Sequence, residues 1–258
     1  MGNASGGEGP LVIGHRGSSG NAPENTLAAV RLAMEQGADG VEVDLRLTRD
    51  GRIVLMHDAN TFRSTGRYHR VGRDSLERLR GLKVGRGRKY RLMRERIPTL
   101  DQVLETLPPD APLMLEMKAG EELLVPLKEL LDGMPERRGS LYLLDFRPWM
   151  LEAAREIFPA ECLMWNVAFE QPGRGGAWSP EPRTLVPAAR DLGVRGLNLM
   201  VCDAVDRDLV LTAHDAGLDV HVWTVNEPDH ALHLAGLGVE GIITDYPGRI
   251  RTALEEAR

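Results

Sequence analysis

The sequence predicts an α/β fold of the (β/α)8 TIM-barrel type, with a short insertion after the second strand and its hairpin. Three observations predict it. Eight short apolar, β-branched runs recur along the chain, at 11–14 (LVIG), 40–45 (GVEVDL), 113–117 (LMLEM), 141–144 (LYLL), 162–167 (CLMWNV), 196–199 (GLNL), 220–225 (VHVWTV) and 241–244 (GIIT). Runs of this length, bounded by turn residues, read as buried strands. Between most of them the apolar residues fall three and four apart, at 26–36, 121–132, 147–157, 184–192, 205–216 and 228–236, which is the spacing of a helix that buries one face. The whole pattern fits within 258 residues, the usual size of a (β/α)8 barrel. A doubly wound sheet is the competing architecture, but it wants a glycine-rich phosphate turn after its first strand, and HRGSSG (15–20) does not supply one.

Punctuation supports these elements in order. Gly37, Gly133, Gly193, Gly217 and Gly238 each follow a helical stretch, where a left-handed residue commonly ends a helix. After the second strand the chain reads LRLTRDGRIVLMHD, and Asp50-Gly51 between two alternating runs signals a hairpin that brings His57 roughly opposite Asp44. Residues 59–97 fit no barrel unit and form the insertion. A further helix enters at Thr99, a good N-cap. Residues 1–10 (MGNASGGEGP) are small and polar and read as a flexible tail, leaving 11–258 as a single domain.

Composition narrows the function. A hydrophobic fraction of 42% supports a full core, and a net charge of −6 argues against nucleic acid or an anionic membrane as the general partner. No apolar run is long enough to cross a bilayer and no charged, apolar leader precedes the first strand, so the protein reads as soluble and cytoplasmic, with no stable membrane association. Cys162 and Cys202 lack a CxxC partner and read as reduced thiols. Charge is unevenly spread. From Arg63 to Arg96, eleven Arg and two Lys stand against Asp74, Glu77 and Glu95. That stretch is either a solvated surface or an electrostatic guide for an anionic substrate, with Arg67, Arg70, Arg73, Arg86 and Arg88 as its candidates.

The polar residues at the strand ends carry the chemistry. Glu42 and Asp44 are two apart on one strand, so they point to the same side, and Glu116 with Lys118 repeats that geometry on the next barrel strand. Three carboxylates converging on one barrel end repel unless a cation sits among them, and all-oxygen ligation suits Mg²⁺ or Ca²⁺ far better than Zn²⁺. His15, ending the first strand, and His57, ending the hairpin, flank the same point. Two imidazoles can remove a proton on one side of a reacting phosphorus and deliver one on the other. Arg16 and Lys118 are placed to neutralise phosphate oxygens.

These residues carry a family resemblance. HRG with ENT (His15, Arg16, Gly17; Glu24, Asn25, Thr26), GADGVEVDLRLTRDG (37–51), VLMHD (54–58), LEMK (115–118), WTVN (223–226) and GVEGIITDYP (238–247) together resemble the glycerophosphodiester phosphodiesterases, over about residues 11–250. The resemblance implies a (β/α)8 barrel with a small insertion after the HD block. It also implies hydrolysis of small-molecule glycerophosphodiesters to sn-glycerol 3-phosphate and an alcohol by a single catalytic domain. His15 and His57 then form the acid/base pair, Glu42, Asp44 and Glu116 bind a divalent metal, Arg16 and Lys118 contact phosphate, and Trp223 lies beside the substrate. Two alternatives stay open: a phospholipase-like enzyme of the lysophospholipase D or phosphoinositide phospholipase C type, and a non-catalytic phosphodiester-binding protein. One position departs from the family pattern. Asp145-Phe146 stands where the fourth barrel strand usually ends in Ser-Phe, so a polar contact at the mouth is expected to differ.

Overall fold

The structure, a computed structural model, describes residues 9–85, 90, 93–137, 139–171, 173 and 176–258. Residues 1–8 of the expected tail, together with Arg86 and Arg88, lie outside the described residues.

Eight parallel strands close into a barrel. In chain order they are β1 (Leu11–His15), β2 (Gly40–Leu47), β4 (Leu113–Met117), β5 (Leu141–Asp145), β6 (Leu163–Val167), β7 (Gly196–Met200), β8 (Asp219–Trp223) and β9 (Gly241–Thr244). Each pairs in parallel with its neighbours, and β1 closes the ring by pairing with both β9 and β2. The ninth strand, β3 (Ile53–Leu55), is the return arm of the hairpin and runs antiparallel to the end of β2, with Leu45 opposite Leu55. Gly51 makes the turn at φ 72°. By continuation of this ladder, Met56 rather than His57 faces Asp44, and its N–H donates to the Asp44 carbonyl at 3.0 Å. His57 follows one residue later, at the rim.

Around the barrel lie α1 (Leu27–Glu35), α4 (Leu100–Thr106), α5 (Leu124–Asp132), α6 (Pro148–Arg155), α7 (Pro182–Leu192), α8 (Arg207–Asp215), α9 (Pro228–Leu237) and α10 (Pro247–Glu256). Local chemistry sets their starts. Thr26 accepts the Ala29 N–H at the head of α1, Asp206 accepts the Leu209 N–H at the head of α8, and Thr99 with Gln102 forms a capping box on α4. Of the glycines read as helix ends, Gly37, Gly193, Gly217 and Gly238 have positive φ, whereas Gly133 keeps a right-handed φ of −71°. The expected helix over 121–132 begins with a 3-10 turn, and the closing helix α10 comes in addition to the stretches read from periodicity.

Alternation along the strands builds two cores. Outward residues such as Val43, Leu115, Leu143, Leu197 and Ile242 pack against the helices. Inward residues fill the barrel: Ile13, Met114, Tyr142, Leu144, Met164 and Ile243 form a dry plug. Above that plug the inward positions turn polar, with Glu42, Asp44, Glu116, Asn166 and Asn198 all buried. The strand period therefore stacks an apolar floor beneath a polar mouth at the C-terminal ends of the strands.

The insertion is a small unit of its own. It contains α2 (Phe62–Thr65), a 3-10 turn at Val71–Arg73 and α3 (Leu76–Arg80), built over a satellite core of Val54, Met56, Val71, Leu76, Leu79, Leu82, Val84 and Ile97. Because Met56 and Val54 belong to the hairpin arm, this core fixes the insertion directly beside His57.

Candidate active site

The predicted site residues gather at the C-terminal mouth of the barrel: His15, Arg16, Glu116, Lys118 and Trp223 at or just past strand ends, Glu42 and Asp44 within β2, and His57 just after the hairpin arm β3. His15 ends β1 and pairs in register with Glu42, while Asp44 pairs with Glu116 across β2 and β4. A cavity of about 200 Å³ at the mouth is lined by His15, Arg16, Glu42, His57, Glu116, Lys118, Phe146 and Trp223, with Asn166 and Asn198 also lining it. Seven of the eight sequence-predicted residues thus line one cavity. Asp44, the eighth, is fully buried against the same group.

Ligand atoms of Glu42, Asp44 and Glu116 all lie within 4.8 Å of one another. Burial comes first in setting their charge, and their mutual repulsion adds to it. The Glu42 carboxyl is pushed well above its ordinary value by burial and by the charges of Asp44 and Glu116. Glu116 is pushed up to about 7 by burial and by Asp44. Burial opposes ionisation of Asp44 too, but Arg16, Lys118 and His57 outweigh it and hold that carboxyl below its usual range. Glu42 Oε1 and Asp44 Oδ1 are buried without a hydrogen-bond partner, and Lys118 Nζ stands 3.6 Å from Asp44 Oδ1. Buried, mutually repelling oxygens with unused lone pairs fit a hard divalent cation.

The backbone makes these positions by strain. Arg16 adopts φ 54° and Asn25 φ 55°, left-handed values uncommon outside glycine. The turn at Arg16 aims its own N–H at Glu42 Oε2, 3.0 Å away, and sets its Nε 3.1 Å from Asp44 Oδ2. Asn25 braces Asp44 twice: its Nδ2 donates to Oδ2 at 2.7 Å and its Oδ1 accepts the Asp44 N–H at 3.1 Å. Gly17, at φ +77°, lies so near α1 that a Cβ would sit 2.4 Å from the Ala29 carbonyl carbon. No side chain is possible there, which explains the glycine of HRG.

Both histidines are held by carboxylates. His15 Nδ1 lies 2.7 Å from Asp245 Oδ1, and His57 Nδ1 lies 2.7 Å from Asp58 Oδ1. The Asp245 carboxyl is half-buried, yet hydrogen bonds from His15, Ser19 and Asn226 bring it down to about 2. Asp58 likewise falls to about 2, where hydrogen bonds from Arg63 and His57 outweigh partial burial. Ionised carboxylates only accept, so each Nδ1 carries a proton and donates. Each Nε2 is left free for proton transfer. Burial lowers the His57 pKa, partly offset by Asp44, which favours a neutral imidazole.

Trp223 and Phe146 form the apolar side of the mouth, edge to face with centroids 5.6 Å apart, and Lys118 Nζ lies 5.4 Å over the Phe146 ring. Trp223 Nε1 is anchored on the Asn198 carbonyl at 3.0 Å. The expected effect of Asp145 on the mouth takes a different form. Asp145 is 2% exposed, faces the helices, and is clamped by Arg147 at 2.7 Å, while Arg147 also donates to the Met117 and Ala119 carbonyls. It is Phe146 that lines the cavity.

Sequence reasoning gave no role to Asp58, Asp245, Asn25, Glu24 or Arg63. Arg63 of the insertion donates to Glu24 at 2.7 and 2.9 Å and to Asp58 at 2.7 Å, and Glu24 also meets Arg16 at 3.2 Å. This chain of pairs ties the insertion to the mouth. The remaining histidines stay outside the site: His69 pairs with Asp74, His214 with Glu240, and His221 is buried in the barrel. Cys162 and Cys202 are both free thiols.

Acids, imidazoles and cations gathered at the C-terminal strand ends define a barrel enzyme built to handle an anionic ester. The chain belongs to the glycerophosphoryl diester phosphodiesterase family, whose model matches residues 15–249, and it is an enzyme of that class. It is 32% identical to a glycerophosphodiester phosphodiesterase of Caldanaerobacter subterraneus subsp. tengcongensis, with 92% of this chain and 94% of that protein aligned. It is 29% identical to glycerophosphodiester phosphodiesterase 1 of Mus musculus, over 84% of this chain and 72% of that one. Among solved structures it superposes on an Oleispira antarctica phosphodiesterase, crystallised with the product sn-glycerol-3-phosphate, at TM-score 0.81 and 32% identity, covering 96% of this chain and 97% of that one.

Proposed function

We propose that the protein hydrolyses glycerophosphodiesters to sn-glycerol 3-phosphate and an alcohol, with a divalent ion held by Glu42, Asp44 and Glu116. The observation that carries this reading is a pair of histidines, each fixed at Nδ1 by an aspartate, lining one cavity beside three converging carboxylates. The crystallised product of the Oleispira antarctica relative supports the reaction. Held by Glu42, Asp44 and Glu116, a divalent ion would supply Lewis-acid polarisation of a phosphoryl oxygen and positive charge to offset what develops there. The all-carboxylate donor set favours Mg²⁺ or Ca²⁺.

The chain's own groups do the rest. Arg16 and Lys118 neutralise the phosphate oxygens, one of His15 and His57, as the neutral ring, takes the proton of the attacking hydroxyl at Nε2, and the other, entering the step as the imidazolium, gives its Nε2 proton to the leaving alkoxide. Phe146 and Trp223 offer an apolar wall to the carbon skeleton. In this reading residues 11–258 form one catalytic domain with the insertion at 59–97 as part of the mouth, acting on soluble substrates in the cytoplasm. No helix among the described residues is long and apolar enough to cross a membrane.

A panel of glycerophosphodiesters, scored by release of sn-glycerol 3-phosphate, and of lysophospholipids, scored by release of the free alcohol and lysophosphatidic acid, tests the reading. Release from the diesters is expected. Cleavage of the lysophospholipids alone would move the assignment to the phospholipase-like alternative, and binding without any cleavage would move it to a binding protein.

A further inference from the structure

Beside the catalytic cavity runs a second depression, about 620 Å³ in volume against 200 Å³ for the first. Lys118 lines both, so the two adjoin at that side chain. One wall of the depression comes from the barrel, through Arg46 at the end of β2 and Arg147 after β5. The facing wall comes from the insertion, through Tyr68, Arg70 and Arg73. The insertion wall is not a loose loop. Thr61 N–H donates to the His69 carbonyl and Val71 N–H to the Ala59 carbonyl, so 59–61 and 69–71 run as a short antiparallel ladder over the satellite core.

Part of the insertion's positive charge is paired with acids, Arg63 with Glu24 and Asp58 and Arg78 with Asp74. The insertion arginines that line the trough are not. The Arg73 guanidinium has no hydrogen-bond or ion-pair partner among the described residues, and that of Arg70 has only the Tyr68 hydroxyl, 3.2 Å from its Nε. Arg46 spends its donors on the carbonyls of His57 and Lys118, which leaves its charge without a paired carboxylate. Arg147 is matched by Asp145 and Lys118 by Glu116. Among the described residues lining the trough Glu122 is the single acid, with Oε1 accepting the Gly120 N–H at 3.2 Å. Two guanidinium groups without an acid partner, Arg70 and Arg73, leave this wall of the cleft cationic, which repels a cationic alcohol such as choline and attracts an anionic one.

We propose that this trough holds the leaving alcohol and selects glycerophosphodiesters whose alcohol carries a phosphate group of its own. The inference rests on the proposed diesterase reading and adds a substrate class to it. The scissile phosphate sits with Arg16 and Lys118, and the second phosphate sits between Arg70 and Arg73, with Tyr68 against the carbon ring or chain that joins them.

The test compares kcat/KM of the wild type and an Arg70→Gln/Arg73→Gln variant on three substrates: glycerophosphocholine, glycerophosphoglycerol and glycerophosphoinositol 4-phosphate. The wild type is expected to prefer the phosphorylated substrate over the other two. The variant is expected to lose about 10- to 100-fold on that substrate alone, mostly through KM, the usual weight of charge-assisted contacts. Turnover of glycerophosphoglycerol stays within about twofold. Equal rates on all three substrates, or an equal loss on the neutral one, overturns the trough assignment while leaving the diesterase reading intact. Calorimetry with myo-inositol 4-phosphate, with the catalytic cavity blocked by sn-glycerol 3-phosphate, reads the trough without turnover. Binding to the wild type and not to the variant supports the proposal, and no binding to the wild type overturns it even where the diesters are cleaved.

Discussion

Asp245 reaches back across 230 residues to hold His15 Nδ1 at 2.7 Å. Replacing it with Asn keeps the shape but presents an acceptor or a donor amide where only an acceptor stood, so the imidazole can turn to the opposite tautomer. Asp245→Asn is expected to lower kcat by about 10- to 100-fold with little change in KM. Asp58→Asn is expected to do the same through His57. Steady-state kinetics on a single diester checks both, and unchanged kcat in either variant would mean that the aspartate does not govern the ring.

The rings themselves carry more weight. His15→Ala and His57→Ala are each expected to cost on the order of 10²–10⁴ in kcat, the contribution of one positioned proton-transfer group. Both rings sit half-buried at the rim, so thermal unfolding is expected to move little. Near-normal turnover in either variant would assign that histidine a structural part and remove it from the proposed pair.

These contrasts show what was legible in the sequence. Glu42 and Asp44, or Glu116 and Lys118, are two apart on one strand, so the strand period alone places them together. The eight barrel strands were legible for the same reason, because alternation and helix spacing are local. Asp245 holding His15 was not, since strands at opposite ends of the chain meet only when β9 pairs with β1. Asp145 reads as a mouth residue by position, yet it falls on the outward phase of β5 and is consumed by Arg147. The basic excess was plain in composition, but its division into paired Arg63 and unpaired Arg73 depends on which carboxylates the fold brings near.

Glu42 yields a prediction about stability with a definite sign. Without a cation its buried carboxyl is disfavoured by burial and by two neighbouring acids, which is why its pKa is high. As pH rises past the ordinary carboxyl value of about 4.3, the unfolded chain releases a proton that the folded site keeps, so the cost opposes folding increasingly with pH. Glu42→Gln is therefore expected to raise the melting temperature in EDTA, by about 2–4 °C for each kcal/mol recovered in a chain of this size. Mg²⁺ or Ca²⁺ at a hundred times Kd is expected to stabilise the wild type by about 2.7 kcal/mol, raising its melting temperature, and to raise that of the variant less. Scanning calorimetry with and without ion checks both, and a Glu42→Gln protein less stable than wild type in EDTA would contradict the repulsion.

His221 gives a pH dependence. Burial in the barrel lowers its pKa to about 4, its Nδ1 has no partner, and the charges facing it are Asp219, which raises it, and Arg195, which lowers it. An unfolded chain protonates this ring near 6.5. Below that pH the unfolded state binds a proton that the barrel refuses, so the penalty is absent above pH 6.5 and grows as pH falls toward 4, to roughly 3 kcal/mol. His221→Phe, which keeps the ring beside Tyr142, is expected to flatten the stability profile between pH 6.5 and 4. Urea unfolding of both proteins across that range, in EDTA, gives the difference directly. Parallel profiles would show that the ring does not titrate on unfolding.

The central claim is that three converging carboxylates hold a divalent ion needed for diester hydrolysis. The most direct measurement is release of sn-glycerol 3-phosphate from glycerophosphoglycerol, followed before chelation, in excess EDTA, and after Mg²⁺ or Ca²⁺ is titrated back. The account predicts loss of turnover in EDTA and recovery with one of these ions for the wild type, and no recovery for Asp44→Asn at the same ion concentration. Full turnover in excess EDTA would contradict it.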